Sequence, residues 1–88
     1  MELENAFRRP RLALILSDRY TPQQRLGKLI KVARIAAELT QSELAKRLHT
    51  TQDSVGRYER GETVPDFLML SAIAEVLGQE LDYFRVRR

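Results

Sequence analysis

Three threonines standing just ahead of segments with helical periodicity constrain this chain more than any other feature. Thr21 is followed by Pro22 and Gln24, Thr40 by Glu43, and Thr51 by the stretch QDSVGRYER that runs into Gly61. A threonine hydroxyl ahead of a helix accepts from an orphan backbone N–H. A Gln or Glu three residues on returns the bond, and proline suits the first helical position because its missing N–H is not needed there. Glycine after the last periodic residue supplies the left-handed conformation that ends a helix. The chain therefore reads as a succession of short helices with almost no strand signal.

The apolar spacing fills in the segments. A first helix runs from Pro22 to about Glu38, with Leu26, Leu29, Ile30, Ala33, Ala36 and Ala37 on one stripe and Arg25, Lys28 and Lys31 off it. A second, short helix spans about Gln41 to Leu48. The third follows a Thr51 cap, with Thr50 as the competing cap, and reaches Glu59 or Arg60. A fourth begins at Pro65, carries Phe67, Leu68, Leu70, Ile73, Ala74 and Leu77 on its apolar stripe, and stops at Gly78. A last turn at Leu81 to Phe84 can lay Leu81 and Phe84 over its end. The division is an N-terminal extension at 1–20, a helical domain at 21–84 and a basic tail at 85–88. In the extension, Pro10 with RLALILS fits a short helix or an apolar strand that pairs with a second copy.

Composition narrows what such a domain can do. With 88 residues, 43% of them hydrophobic, the chain is one small domain with a thin core. It has no cysteine, which excludes disulfides and thiolate metal sites and suits a reducing cytoplasm. The longest apolar run, LALIL at 12–16, is far too short to span a membrane and has no small-residue cleavage site after it. A cytoplasmic protein is expected. His49 is the only histidine, so a zinc site or a histidine relay lacks parts, and the isolated glycines make no phosphate-cradling loop. Neither an enzyme nor a cofactor is expected. The net charge of +3 is unevenly spread: residues 23–40 carry four positive charges and one negative, whereas residues 41–62 are balanced. A polyanion would be held mostly by the first helix and the closing RVRR.

The third helix has an unusual face. At about 100° per residue, Val55, Tyr58 and Glu59 fall in a wedge of roughly 100°, while Gln52, Asp53, Gly56, Arg57 and Arg60 spread over the opposite side. So narrow an apolar strip adds little core for its length. The outward Gln, Asp and Arg are hydrogen-bonding groups of the kind that match base edges, although a solvated surface helix has the same pattern. The helix before it carries a small residue, Ala45, where two steeply crossing helices must approach.

With these segments in view, "LTQSELAKRL", "SVGRYERG" and "PDFLMLSAIAEVLGQELDYF" at their mutual spacing resemble the bacterial and phage repressors of Cro and C1 type, the XRE family, over roughly Leu26 to Phe84. The resemblance implies an all-α, five-helix repressor-like domain whose third helix lies in the major groove of double-stranded DNA. Carried over by position, Gln41 would touch a phosphate and brace Gln52, and Gln52 would read adenine. Asp53, Ser54 and Arg57 would face bases or phosphates, and Thr51 and Arg60 would contact the backbone. Arg57 fits guanine O6 and N7. Asp53 could accept from cytosine or merely stabilise the first helical turn. Arg34 and Glu59 correspond to a buried structural ion pair.

There are three departures from the family pattern. His49 stands where a turn glycine is usual, and Glu62 and Asp66 occupy places where relatives often carry basic residues. Gly56 either lets the backbone approach DNA or only lowers helix propensity. The implied role is a transcriptional regulator, a repressor acting as a homodimer at an operator. The dimer surface would be the last two helices and the extension, where Phe7, Leu14, Leu16, Phe84 and Val86 are surplus to the core. Two other readings stand beside it: the antitoxin of a toxin–antitoxin pair, whose extension would bind a toxin protein, and an interaction module that keeps the fold without DNA binding.

Overall fold

The threonine caps close as their local chemistry requires. In the computed structural model, which describes residues 19–86, Thr21 Oγ1 accepts from the Gln24 N–H at 3.1 Å, and the Thr21 N–H donates to Gln24 Oε1 at 2.9 Å. Helix α1 (Pro22–Ala36) starts there. Thr40 and Glu43 exchange the same two bonds, at 2.8 and 3.0 Å, to start α2 (Gln41–Arg47). The Thr40 N–H holds the Glu43 carboxyl below its ordinary value. Thr51, not Thr50, caps α3 (Gln52–Arg60), accepting from the Ser54 N–H at 3.1 Å.

Helix α4 (Phe67–Leu77) begins two residues later than Pro65 predicts. The Asp66 carboxylate accepts from the Met69 N–H at 2.8 Å and takes the cap position, leaving Pro65 outside the helix. The buried stripe is also shorter than expected. Ile73, Ala74 and Leu77 are buried with Leu70 beside them, while Phe67 and Leu68, expected on the stripe, are 68% and 78% exposed. The last turn is a 3-10 turn, Leu81–Phe84. The described residues thus form four α-helices and this turn in place of five helices, with no strand. Expectations for Phe7, Pro10, Leu14, Leu16 and the tail's last two arginines lie outside the described residues.

All four α-helices stop the same way. After each, one residue is left-handed and two backbone N–H groups reach back to the final turn: Glu38 and Leu39 to the carbonyls of Ile35 and Arg34, His49 and Thr50 to Lys46 and Ala45, Gly61 and Glu62 to Tyr58 and Arg57, Gly78 and Gln79 to Glu75 and Ala74. The left-handed residues are Glu38, His49, Gly61 and Gly78. A non-glycine residue there costs on the order of 1 kcal/mol, accepted twice because α1 and α2 must turn within a few residues. Helix α1 consequently ends at Ala36, short of Glu38.

The core is Leu26, Leu29, Ile30 and Ala33 of α1, Leu44, Ala45 and Leu48 at α2, Val55 of α3, Ile73, Ala74 and Leu77 of α4, and Phe84. Phe84 is 2% exposed, so it completes the core and is not surplus to it, while Leu81 stays at the surface.

Helix α3 contributes only Val55 to that core and is held by two other devices. The first is close backbone contact. A Cβ added to Gly27 would lie 2.4 Å from the Tyr58 carbonyl oxygen and 2.5 Å from that of Glu59, so α1 and α3 touch main chain to main chain. The second is ionic. Arg34 Nε donates to Glu59 Oε2 at 2.6 Å and Nη2 to Oε1 at 3.0 Å, with both residues buried. Arg34 Nη1 also donates to the Leu39 carbonyl at 2.8 Å, and Gln41 Nε2 donates to Glu59 Oε1 at 3.0 Å.

Two measurable consequences follow for stability. Gly27→Ala should lower the urea unfolding free energy by about 1–3 kcal/mol through overpacking. Gly56→Ala, whose Cβ would meet only the mobile end of Arg60, should be neutral or gain up to about 1 kcal/mol in helix propensity. Equal effects at both sites would show that α1 and α3 do not approach this closely. Arg34→Met should cost about 3–5 kcal/mol by stranding Glu59, and adding Glu59→Leu should restore most of that loss. A double variant no more stable than the single one would show that the carboxylate is not stranded.

Candidate nucleic-acid interface

Helix α3 turns Gln52, Asp53, Arg57 and Arg60 to solvent, with Thr51 exposed at its cap. Val55 is fully buried and Glu59 nearly so. The division follows from the helical period: positions 55 and 59 are one turn apart on the side that meets α1 and α2, and positions 53 and 57 are one turn apart on the side that does not. Ser54 lies between the two faces, and its hydroxyl hydrogen-bonds that of Thr51 at 3.0 Å.

The outward charges are organised. Arg57 Nε meets Asp53 Oδ2 at 3.0 Å, with both side chains more than half exposed. Such a pair adds at most about 1 kcal/mol to stability, and it engages the guanidinium through Nε. Two of the five guanidinium N–H directions are enough to grip a base edge, and an Nε bond leaves the two terminal nitrogens for that purpose. Arg60 pairs closely with Glu62. That hydrogen bond and the charge behind it draw the Glu62 carboxyl below its usual range.

Two expected placements differ in the structure. Gln41 donates to Glu59 and not to Gln52, because the Glu59 carboxylate, already drawn in by Arg34, has an oxygen within reach at the start of α2. Gly56 is buried and not on the open face: the Arg60 guanidinium lies over it, at 2.9 Å from where a Cβ would stand. Glu62 and Asp66 are engaged by Arg60 and by the α4 cap.

One feature had no counterpart in the motif reading. A cleft of about 300 Å³ opens between the start of α1, the start of α2 and the end of α3, and Tyr20, Lys28, Lys31, Gln41 and Arg60 are on its walls. The charge excess at 23–40 was its only sequence signal. No helix among the described residues is long and apolar enough to cross a membrane.

Comparison with known proteins agrees with this architecture. Residues 30–84 match the helix-turn-helix family. Multiprotein-bridging factor 1c from Arabidopsis thaliana is 34% identical over 64 residues, which cover 73% of this chain and 42% of that protein, so the chain spans less than half of that relative's length. Among solved structures, the P22 c2 repressor protein in complex with synthetic operator 9T, in the presence of Tl+, superposes with a TM-score of 0.64 at 27% identity, covering 67% of this chain and 89% of the repressor chain. The family match covers more than half of the chain and the repressor shares its fold, and the chain belongs to the Cro/C1-type helix-turn-helix family of regulators.

Proposed function

We propose that this chain binds double-stranded DNA sequence-specifically and regulates transcription as a repressor at an operator. The observation that carries the reading is the outer face of α3: an Arg57 guanidinium oriented by Asp53, with Gln52 one position before Asp53, on a helix locked from behind by Glu59. The solved repressor–operator complex with the same fold supports it. In the major groove, Arg57 reads guanine through its terminal nitrogens and Gln52 reads adenine. Asp53 acts first on Arg57, holding it in register. Thr51, Ser54, Arg60 and Gln41 lie at the edges of that face, where phosphates pass.

A homodimer belongs to the same proposal. One module of this size binds weakly, and two recognition helices related by a two-fold axis match two half-sites. The contact surface is the loop before α4 and its first turn, where Val64, Phe67 and Leu68 are exposed by 55%, 68% and 78%. Three large apolar side chains so close in sequence and so far from the core are otherwise a solubility liability.

Arg57→Ala should relax base preference at one operator position and cost about 1–3 kcal/mol on the best site, with a smaller loss on random DNA, measured by competition gel shift. Uniform weakening on all sequences would make Arg57 a phosphate contact. Leu68→Glu should shift the protein toward monomer in sedimentation equilibrium while leaving its helical circular dichroism intact. An unchanged mass would place the dimer contact elsewhere.

A further inference from the structure

We propose that the apolar run LALIL at 12–16 seats in a groove of its own chain, between the start of α1, the loop before α4 and the residues around the last turn. The proposal is independent of DNA binding. It gives the N-terminal extension a place on the folded domain.

The groove is assembled from three parts of the chain. Pro22, Gln23 and Leu26 come from α1, Val64 from the loop after α3, and Phe84 and Val86 from the last turn and the residues after it. Five of these six are apolar. Leu26 and Phe84 belong to the core at 9% and 2% exposure, whereas Val64 is 55% exposed, so the groove leads from the core to an apolar side chain that the described residues leave open. On α1 the helical period puts Pro22, Gln23 and Leu26 within an arc of about 100°. Gln24, Lys28 and Lys31, which line the polar cleft, fall on the opposite side.

Its occupant is indicated by size, supply and reach. The groove holds about 300 Å³. A cavity of about 150 Å³ accepts a benzene-sized group, so the space suits two branched apolar side chains. The run at 12–16, which lies outside the described residues, is the longest apolar stretch of the chain, and the core closes without it. A period of two groups Leu12, Leu14 and Leu16, and a helical period groups Leu12 and Leu16, so either backbone offers at least two leucines on one side. Only residues 17–21 separate the run from Pro22, which is itself in the groove. Six chain steps reach about 20 Å, ample to round a helix about 10–12 Å across. The chain is already turning at Arg19 and Tyr20. So short a tether presents the run at an effective concentration on the order of millimolar, which favours its own groove over that of a second copy. Val64 also borders Leu68, so the seated run adjoins the proposed dimer surface without including Phe67 or Leu68.

The absence of cysteine allows a direct test, because any introduced pair is the only one. Full-length chains carrying Leu12→Cys, Leu14→Cys or Leu16→Cys, each combined with Val64→Cys, are treated with a short bismaleimide. The control replaces Val64→Cys by Lys31→Cys on the polar side of α1. Both partner positions are exposed, so the fold does not depend on either. At least one Val64 pairing should give an intrachain product, unchanged on dilution and roughly tenfold above its control, which corresponds to about 1.4 kcal/mol of preference for the groove. Equal yields with Val64→Cys and Lys31→Cys in all three registers would overturn the proposal. A product joining two chains and lost on dilution would overturn it as well, by placing the run on a second copy. Independently, Leu14→Gln together with Leu16→Gln should shift the methyl resonances of Val64 and Val86 and leave those of Ile35, exposed but outside the groove, in place. No shift, or equal shifts at all three residues, would count against the seat.

Discussion

Two opposite charges, Arg34 and Glu59, lie out of water between α1 and α3, and a pair in that position is stable only when the atoms around it are satisfied as well. Here they are. The Leu39 carbonyl takes one guanidinium N–H, and Gln41 supplies a further donor to the carboxylate. The four partners come from α1, the turn after it, the first residue of α2 and the end of α3. One ionic contact thus ties together every element that sets the angle of α3. Burying it contributes less stability than an apolar pair of equal volume would. What it supplies is direction: Glu59 cannot rotate away without stranding three donors.

Direction matters because α3 has so little else to hold it. Val55 is its single fully buried apolar residue, with the half-buried Tyr58 beside it, and a helix held by so narrow a strip could roll. The close approach at Gly27 removes that freedom, since carbonyls of Tyr58 and Glu59 rest where a side chain would be. Gly61 repeats the device one turn later: it is left-handed, and a Cβ there would meet the Gln24 backbone at 2.8 Å. Backbone contacts at both places are stiffer than side-chain packing, because main-chain atoms have no rotamers to yield. The narrow apolar strip of α3 is therefore compatible with a rigid presentation of its outer face.

How much of this could be read from the residues depended on the range of the chemistry involved. Caps act within three residues, so Thr21, Thr40 and Thr51 marked their helices directly, and Gly61 and Gly78 marked two ends. At the fourth helix the proline signal at Pro65 hid the cap that Asp66 provides, and Phe67 and Leu68, which follow the apolar period, were read as core although the core ends before them. The ends at Glu38 and His49 depend on left-handed residues without the usual glycine, so the first was missed and the second noticed only against the family pattern. Gly27 was illegible for a different reason. Its partner backbone is 31 positions away, and nothing near Gly27 distinguishes a tight crossing from a poor helix residue. Gln41 shows the limit of resemblance: it opens α2 as expected, but its partner is decided by a carboxylate oxygen that only the three-dimensional arrangement brings within 3.0 Å.

The acidic residues near the proposed interface then acquire a reason. Asp53 and Glu62 look unfavourable beside a polyanion, and each already holds an arginine, Arg57 and Arg60. On unmatched DNA, an arginine that swings to the nearest phosphate leaves its carboxylate facing the same strand unpaired, and like charges at close range oppose the complex. In the proposed complex, Arg57 on a matched site would reach guanine through its terminal nitrogens while Asp53 keeps its Nε bond, so Asp53 would not be stranded. Weak surface pairs of this kind add little to folding. Their effect is on the difference between right and wrong sequences, where a small penalty applied only to the wrong ones is enough to widen specificity.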